Sequence, residues 1–249
     1  MTNPKLSIVV PSYNETADVK KAAINSMAQF LQKQNYSYEV LIVDDQSTNN
    51  TVKLVEEEIK KHKNFHLLKN THGGKAITVM TGLLASKGEI ALFTDMDQAT
   101  PINQVEGLFP KFGQRFDVVI GIRHGRKGAP PIRKLSAVVF QLLRNIILGL
   151  PFVDTQCGFK AFNRQAVEAI FPDMLEEWKK MRASGASVNA GFDVEMLFIA
   201  KQKKLEIAEV EVEWQHVENI RLSQLIKNSL EAIKDMFRIR VNQLAGKYG

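Results

Sequence analysis

The 249-residue chain has a single thiol, Cys157, so no internal disulfide can form and a reducing compartment is expected. Long apolar runs are missing too. No stretch reaches the roughly eighteen apolar residues that a spanning helix needs. The nearest approach, Ile132 to Leu150, is interrupted by Arg133, Lys134, Gln141, Arg144 and Asn145. The opening Met-Thr-Asn-Pro-Lys lacks the apolar core of a signal peptide, so a cytoplasmic protein is expected. The Asn-x-Ser/Thr matches at Asn14, Asn35 and Asn49 are then chance. Internal repeats and low-complexity linkers are absent. Aromatic residues make up 8% and do not interleave with the basic ones, which argues against nucleic-acid binding despite a formal charge of +6. One absence points to a ligand. No carboxylate lies between Val118 and Val153, while Arg123, Arg126, Lys127, Arg133, Lys134 and Arg144 do, so an anionic partner is expected there.

At 45% hydrophobic the chain can bury a substantial core. Strand-like runs alternate with amphipathic ones: Leu6 to Val10 then Thr16 to Gln34, Glu39 to Val43 then Asn50 to His62, Phe65 to Lys69 then Lys75 to Ser86, Glu89 to Thr94 then Ile102 to Phe112, and Val118 to Gly121. Such alternation predicts an α/β fold, a mostly parallel central sheet flanked by helices, as one domain over residues 1–215. Residues 216–249 read as a C-terminal amphipathic helical segment. Leu222, Ile226, Leu230, Ile233, Phe237, Val241 and Leu244 recur at helical steps beside Lys227, Lys234, Arg238 and Arg240. That pattern suits a peripheral helix on a membrane surface, and equally packing on the domain or on a twin subunit in a homo-oligomer.

Ligands of open α/β sheets bind outside the carboxyl ends of the strands, where three polar turns fall. Asp95-Met96-Asp97 follows the fourth strand. Its carboxylates can meet a hard divalent cation, Mg²⁺ or Mn²⁺, and through it a diphosphate. Pro11-Ser-Tyr-Asn-Glu15 closes the first strand, and proline is expected to end its ladder there. This turn could serve a ligand or simply let Asn14 cap the next helix. Val43-Asp44-Asp45-Gln-Ser47 closes the second strand. Here one Asp can accept from a base or ribose, or Asp45 or Ser47 can cap a helix. Gly73-Gly74 lets backbone amides approach an anion, and Lys75 either adds charge to it or is merely solvated.

These turns, in this order and spacing, resemble the family 2 glycosyltransferases of the A-type fold, over about Leu6 to Gln202. The resemblance implies that Pro11, Tyr13, Glu15, Asp44 and Asp45 surround the nucleoside of a UDP-hexose donor. Asp95 would face the nucleoside side, and Asp97 would be the main metal ligand. Two turns depart from the family pattern: Gln46 and Asn49 stand where glycine and aspartate are usual, and Lys75 is displaced within Asn70-Thr-His-Gly-Gly-Lys-Ala76. Arg123 and Arg133 resemble the arginines with which the polyprenyl-phosphate branch grips its acceptor phosphate, a task suited to a planar guanidinium fork. Asp154-Thr-Gln-Cys-Gly-Phe-Lys-Ala-Phe162 is similar to the same segment of dolichyl-phosphate glucosyltransferases. Asp154, Gln156 and Lys160 could reach the sugar or the phosphates, and Cys157 reads as a small buried residue. Asp193 matches the family's base position.

The implied reaction is metal-dependent, inverting transfer of a hexose, glucose from UDP-glucose, to a polyprenyl phosphate on the cytoplasmic face of a membrane. A sugar-to-sugar transferase and a catalytically silent nucleotide-sugar-binding module are the alternatives. A phosphomonoester is largely dianionic at neutral pH and attacks unaided, whereas a sugar hydroxyl would need Asp193 as base.

Overall fold

In the computed structural model, every residue of β1 (Leu6–Ser12) is buried, because helices cover both faces of the strand. Residues 3–123, 131–183, 191–215 and 222–248 are described, without the side chains of 131–137, 182–183 and 222–230. The roles expected of Arg126, Lys127 and the Arg133 side chain therefore lie outside the described residues.

β1 is followed by β2 (Tyr38–Asp44), β3 (Phe65–Lys69), β4 (Ile90–Phe93), β5 (Val118–Arg123), β6 (Lys160–Asn163) and β7 (Ile207–Val212) in one sheet of order β3-β2-β1-β4-β6-β5-β7. All neighbours are parallel except β6, which runs antiparallel to both β4 and β5. The five expected strands are present. β6 is too short to announce itself in sequence, and it begins with a lysine at a fully buried position.

Proline does not end the first ladder as expected, since Pro11 pairs with Val43 and Ser12 with Asp44. The Val9 carbonyl accepts from Thr94 on the β4 side. Strand alternation turns the Pro11 nitrogen to that same side, beyond the point where β4 has ended, so no ladder bond is lost.

The expected helix from Thr16 to Gln34 is two, α1 (Thr16–Lys20) and α2 (Ala23–Leu31), broken where Ala22 takes φ 64°. α3 (Thr51–Ile59) and α4 (Lys75–Ala85) fall where expected. The segment expected as one helix from Ile102 to Phe112 is instead a 3-10 turn, Ile102–Gly107, followed by the short α5 (Phe109–Gly113). Then come α6 (Pro131–Leu148), α7 (Arg164–Ala183), α8 (Phe192–Gln202) and α9 (Leu222–Leu244). Alternation along β1 feeds two cores. Ile8 and Val10 pack with α2 on one face, while Val9 packs with α4, α7 and α8 on the other.

α9 docks on the second layer through Ala232, Met236 and Ile239, and Arg238 donates to buried Glu195 of α8 at 2.9 and 3.2 Å. Glu195 also accepts from Trp178 Nε1 at 2.9 Å and from Tyr248 Oη at 2.5 Å. Phe237, Val241 and Leu244, part of the stripe visible in sequence, are not the packing face and stay exposed. Among the described residues no helix is long and apolar enough to cross a membrane.

Candidate active site

Strand direction assembles the site. β1, β2, β4, β5 and β7 all end at one edge of the sheet, and antiparallel β6 begins there, its Lys160 opposite Phe93. The turns after β1, β2 and β4 and the segment leading into β6 therefore meet.

The first two turns tie each other together. Asn14, at φ 59°, donates its N–H to Ser47 Oγ at 2.9 Å and accepts from the Thr48 N–H at 3.0 Å, so it links turns rather than capping α1. Asp44 accepts from Ser47 N at 2.9 Å and Ser47 Oγ at 2.5 Å. Asp45 is buried and takes the amides of Gly73 and Gly74, both at 2.8 Å, with His72 Nδ1 2.9 Å from its Oδ2. Neither Asp45 nor Ser47 caps α3. Both aspartates shape the turns, with their oxygens already hydrogen-bonded. The ring facing outward is Tyr13, which lies 4.9 Å from His72, centroid to centroid. His72 was not singled out from the sequence, although it sits in the stretch that departs from the family pattern.

The acidic turn lies beside these. Lys75, in the first turn of α4, places Nζ 2.5 Å from Asp95 Oδ1. Crowding by protein disfavours its charge, but Asp95, Asp193 and Asp97 outweigh that and raise its pKa. Asp97 Oδ1 accepts from Ala99 N at 3.0 Å. Burial, then the charges of Asp95 and Asp18, push the Asp97 carboxyl up. Glu15 is pushed up to about 7 by burial, by a hydrogen bond with Asp18, and by the charges of Asp18, Asp97 and Asp95. Glu15 thus lies within reach of the acidic cluster, and Asp18, one helical turn on, is a member the sequence does not single out.

Among the described residues no three His, Cys, Asp or Glu side chains form a closed metal cage. Asp95 and Asp97 nevertheless fit a hard divalent cation, which takes one or two carboxylates and completes its shell with water and phosphate. Burial lifts Asp97 and Glu15 most, and the repulsion among carboxylates that adds to it is what a bound 2+ charge would relieve.

Facing this turn is the segment before β6. Gly158 comes so close that a Cβ there would lie 2.2 Å from Asp95 Oδ2. Lys160 is fully buried and donates to the Cys157 carbonyl and to Asp193 Oδ1 at 2.5 Å. Asp193 stands in the first turn of α8. Arg123 at the end of β5 meets Asp154 through Nε at 2.6 Å and Nη2 at 2.9 Å, with its guanidinium 5.4 Å from the Trp214 ring centroid. Burial opposes the Asp154 charge, but Arg123 holds its carboxyl below the usual range. The acid-free stretch thus finds its acid one residue past its end. Arg144, expected among the anion-facing residues, instead turns inward. It is buried and donates to the Leu150 carbonyl at 3.2 Å, Thr155 Oγ1 at 2.9 Å and the Phe152 carbonyl, fixing the loop that carries Asp154. Gln156 is exposed, its N–H donating to Asp154 Oδ1 at 3.0 Å, and Cys157 is buried.

Comparison with known proteins agrees with this architecture. Residues 7–171 match the family model for glycosyl transferase family 2. The chain is 33% identical to a dolichyl-phosphate beta-glucosyltransferase of Dictyostelium discoideum over 98% of its own length and 76% of the relative's. It is 31% identical to the Saccharomyces cerevisiae protein of the same name, with the same coverages. Among solved structures, the glucosyl-3-phosphoglycerate synthase of Mycobacterium tuberculosis in complex with UDP superposes with TM-score 0.67 at 19% identity, covering 95% of this chain and 80% of that one. A second structure of that synthase contains Mn²⁺, UDP and glucosyl-3-phosphoglycerate, with TM-score 0.66. With the three turns, the acidic pair and this match over more than half its length, the chain belongs to glycosyl transferase family 2 and is a glycosyltransferase.

Proposed function

We propose that the protein transfers a hexose, glucose from UDP-glucose, to a polyprenyl phosphate of the dolichyl type at the cytoplasmic face of a membrane, with inversion at the anomeric carbon and with Mg²⁺ or Mn²⁺ bound. The observation that carries this reading is the meeting, at one sheet edge, of the acidic turn Asp95–Asp97, with Lys75 beside it, and the ion pairs Arg123–Asp154 and Lys160–Asp193. The names of the relatives support the acceptor and the sugar.

Tyr13 and His72 form an aromatic wall at the mouth of the first two turns, against which the uracil packs. A divalent cation held by Asp95 and Asp97 would offset the charge of the departing diphosphate. Lys75, which now pairs with Asp95, turns its half-exposed ammonium to the same phosphates. The acceptor phosphate attacks C1 of the hexose. Its oxygen forms the new bond, the bond from C1 to the diphosphate oxygen breaks, and UDP departs with the electron pair. A dianionic phosphate has no proton to lose in this step. Asp193, its charge offset by Lys160, serves to orient the site and is not needed as a base for a phosphate acceptor. Asp154 occupies the Nε–Nη2 edge of Arg123, so the acceptor phosphate meets the guanidinium through Nη1 or displaces the carboxylate.

The test is release of UDP from UDP-glucose with Mg²⁺ or Mn²⁺, with and without a short polyprenyl phosphate, for the wild type and Asp97→Ala. Acceptor-dependent release that disappears in the variant supports the reading. UDP binding without turnover on the lipid phosphate would overturn the acceptor and leave a soluble sugar acceptor, with Asp193 as base, as the reading to pursue.

A further inference from the structure

α6 and α9 pack side by side, and each leaves an apolar row uncovered. On α6 the inward face carries Phe140, Leu143, Ile147 and buried Leu148, while Val138, Leu142 and Ile146, one turn apart in series, point out. Ile146 is 70% exposed. On α9 the outward row is Phe237, Val241 and Leu244, the last 81% exposed. These six, with Val139 and Val153, are every exposed large hydrophobic side chain among the described residues except Tyr13. Soluble surfaces scatter such residues singly, and gathering them on two adjacent helices marks an interaction face.

Charge says what the face meets. At 100° per residue, Lys234 and Arg240 fall roughly 60° to either side of Phe237, so exposed cations flank the α9 row on both sides. The nearby acids turn away from it: Asp235 pairs with Arg238 at 3.1 Å, and Glu231 is half-buried. α6 contains no Asp or Glu. Two copies joined through this face would set basic rims against each other, which costs energy, whereas an anionic lipid surface attracts them.

We propose that α6 and α9 form the face by which the protein docks on an anionic lipid bilayer, apolar rows in the acyl boundary and Lys234 and Arg240 among the headgroups. This rests on the proposed function only in expecting a lipid-borne acceptor. Two details fit the orientation. The loop leaving α6 carries exposed Val153 directly before Asp154, so the face runs up to the acceptor side of the site. A shallow open groove of about 230 Å³ along Val138, Gln141, Leu142, Asn145 and Pro151 lies on the outward side of α6.

The test is cosedimentation with vesicles of phosphatidylcholine, with and without phosphatidylglycerol, containing no polyprenyl phosphate. Wild type should bind the anionic vesicles. Lys234→Glu with Arg240→Glu should abolish the preference for anionic lipid. Phe237→Ser with Val241→Ser and Leu244→Ser should weaken binding about tenfold or more, because the apolar row no longer enters the acyl boundary. Should the α9 variant unfold, Leu142→Ser with Ile146→Ser reports on the same face from α6. UDP release with a short, water-soluble polyprenyl phosphate should be unchanged in every variant, since none of these residues lies in the site. Wild type that ignores anionic vesicles overturns the proposal, as does a dimer in sedimentation velocity that the apolar substitutions dissociate. Vesicle binding by a wild type that releases no UDP would sustain this face while counting against the transfer reading alone.

Discussion

Lys160, with no solvent exposure, holds its ammonium 2.5 Å from a carboxylate oxygen of Asp193, whose side chain is 28% exposed. The pair is lopsided, one partner reaching water and the other not. Removing Asp193 strands a buried cation, while removing Lys160 leaves a carboxylate that water can solvate. Asp193→Ala should therefore cost about 3 kcal/mol or more and Lys160→Met about 1–2 kcal/mol, read from urea midpoints. The reverse order would mean that the ammonium finds other partners on relaxation.

Glu15 gives a pH dependence of known sign. Its carboxyl titrates near 7 in the fold and near 4.5 when unfolded, so between those values the native state binds the extra proton and stability falls as pH rises. In metal-free protein Glu15→Gln should match wild type at pH 4.5 and be the more stable by about 1 kcal/mol at pH 8, the shift being discounted for solvent screening. Thermal melts of both proteins across that range check it. Mg²⁺ or Mn²⁺ should shrink the gap.

Arg144 is a buried cation that donates to the neutral oxygens of Leu150, Phe152 and Thr155, and burial holds its pKa below the usual guanidinium value. Arg144→Met should release the loop from Leu150 to Thr155 and leave two carbonyls unsatisfied. A loss of about 2–4 kcal/mol is expected, with a raised KM for the acceptor because Asp154 and Arg123 lose their fixed loop. Hydrogen exchange at Phe152 to Gln156 would reveal the release directly.

His72 braces Tyr13 and reaches Asp45, away from the proposed reaction centre. His72→Ala should raise the KM for UDP-glucose about tenfold with kcat nearly unchanged, the signature of lost uniform binding. Calorimetric titration with UDP should show the same loss. A fall in kcat alone would place His72 nearer the reaction than the geometry does.

The turns after β1 and β4 were more legible in the sequence than the surroundings of Arg123 and Lys160, for a physical reason. Asp95, Asp97, Glu15 and Tyr13 sit at strand ends, and an apolar run followed by a polar turn is a local signal. What Asp44 and Asp45 do was less legible. Both read as ligand groups, and their oxygens are also bonded to Ser47 and to the turn from His72 to Gly74, partners that sequence spacing does not reveal. Around Arg123 and Lys160 the decisive pairings span 31 residues for Arg123 with Asp154 and 33 for Lys160 with Asp193. The absence of acid around Arg123 pointed to an anionic ligand and hid Asp154, because β6, the strand that follows it and returns to β5, has a pattern too short to read. The helix from Thr16 breaks at Ala22, a good helix former in a left-handed backbone, so composition gives no sign of the break.

Antiparallel β6 also bears on how the chain is made. β1, β2, β3 and β4 are complete once Phe93 has been synthesised, but the far edge of β4 has no partner until residues 160–163 emerge and slide between β4 and β5. For some seventy residues of translation the nascent chain carries a bare, apolar strand edge, the kind that pairs with a neighbouring chain. Central insertion also means that the first half cannot be expressed alone as a closed sheet. Folding yield should depend on the speed with which the segment from Arg123 to Lys160 is delivered.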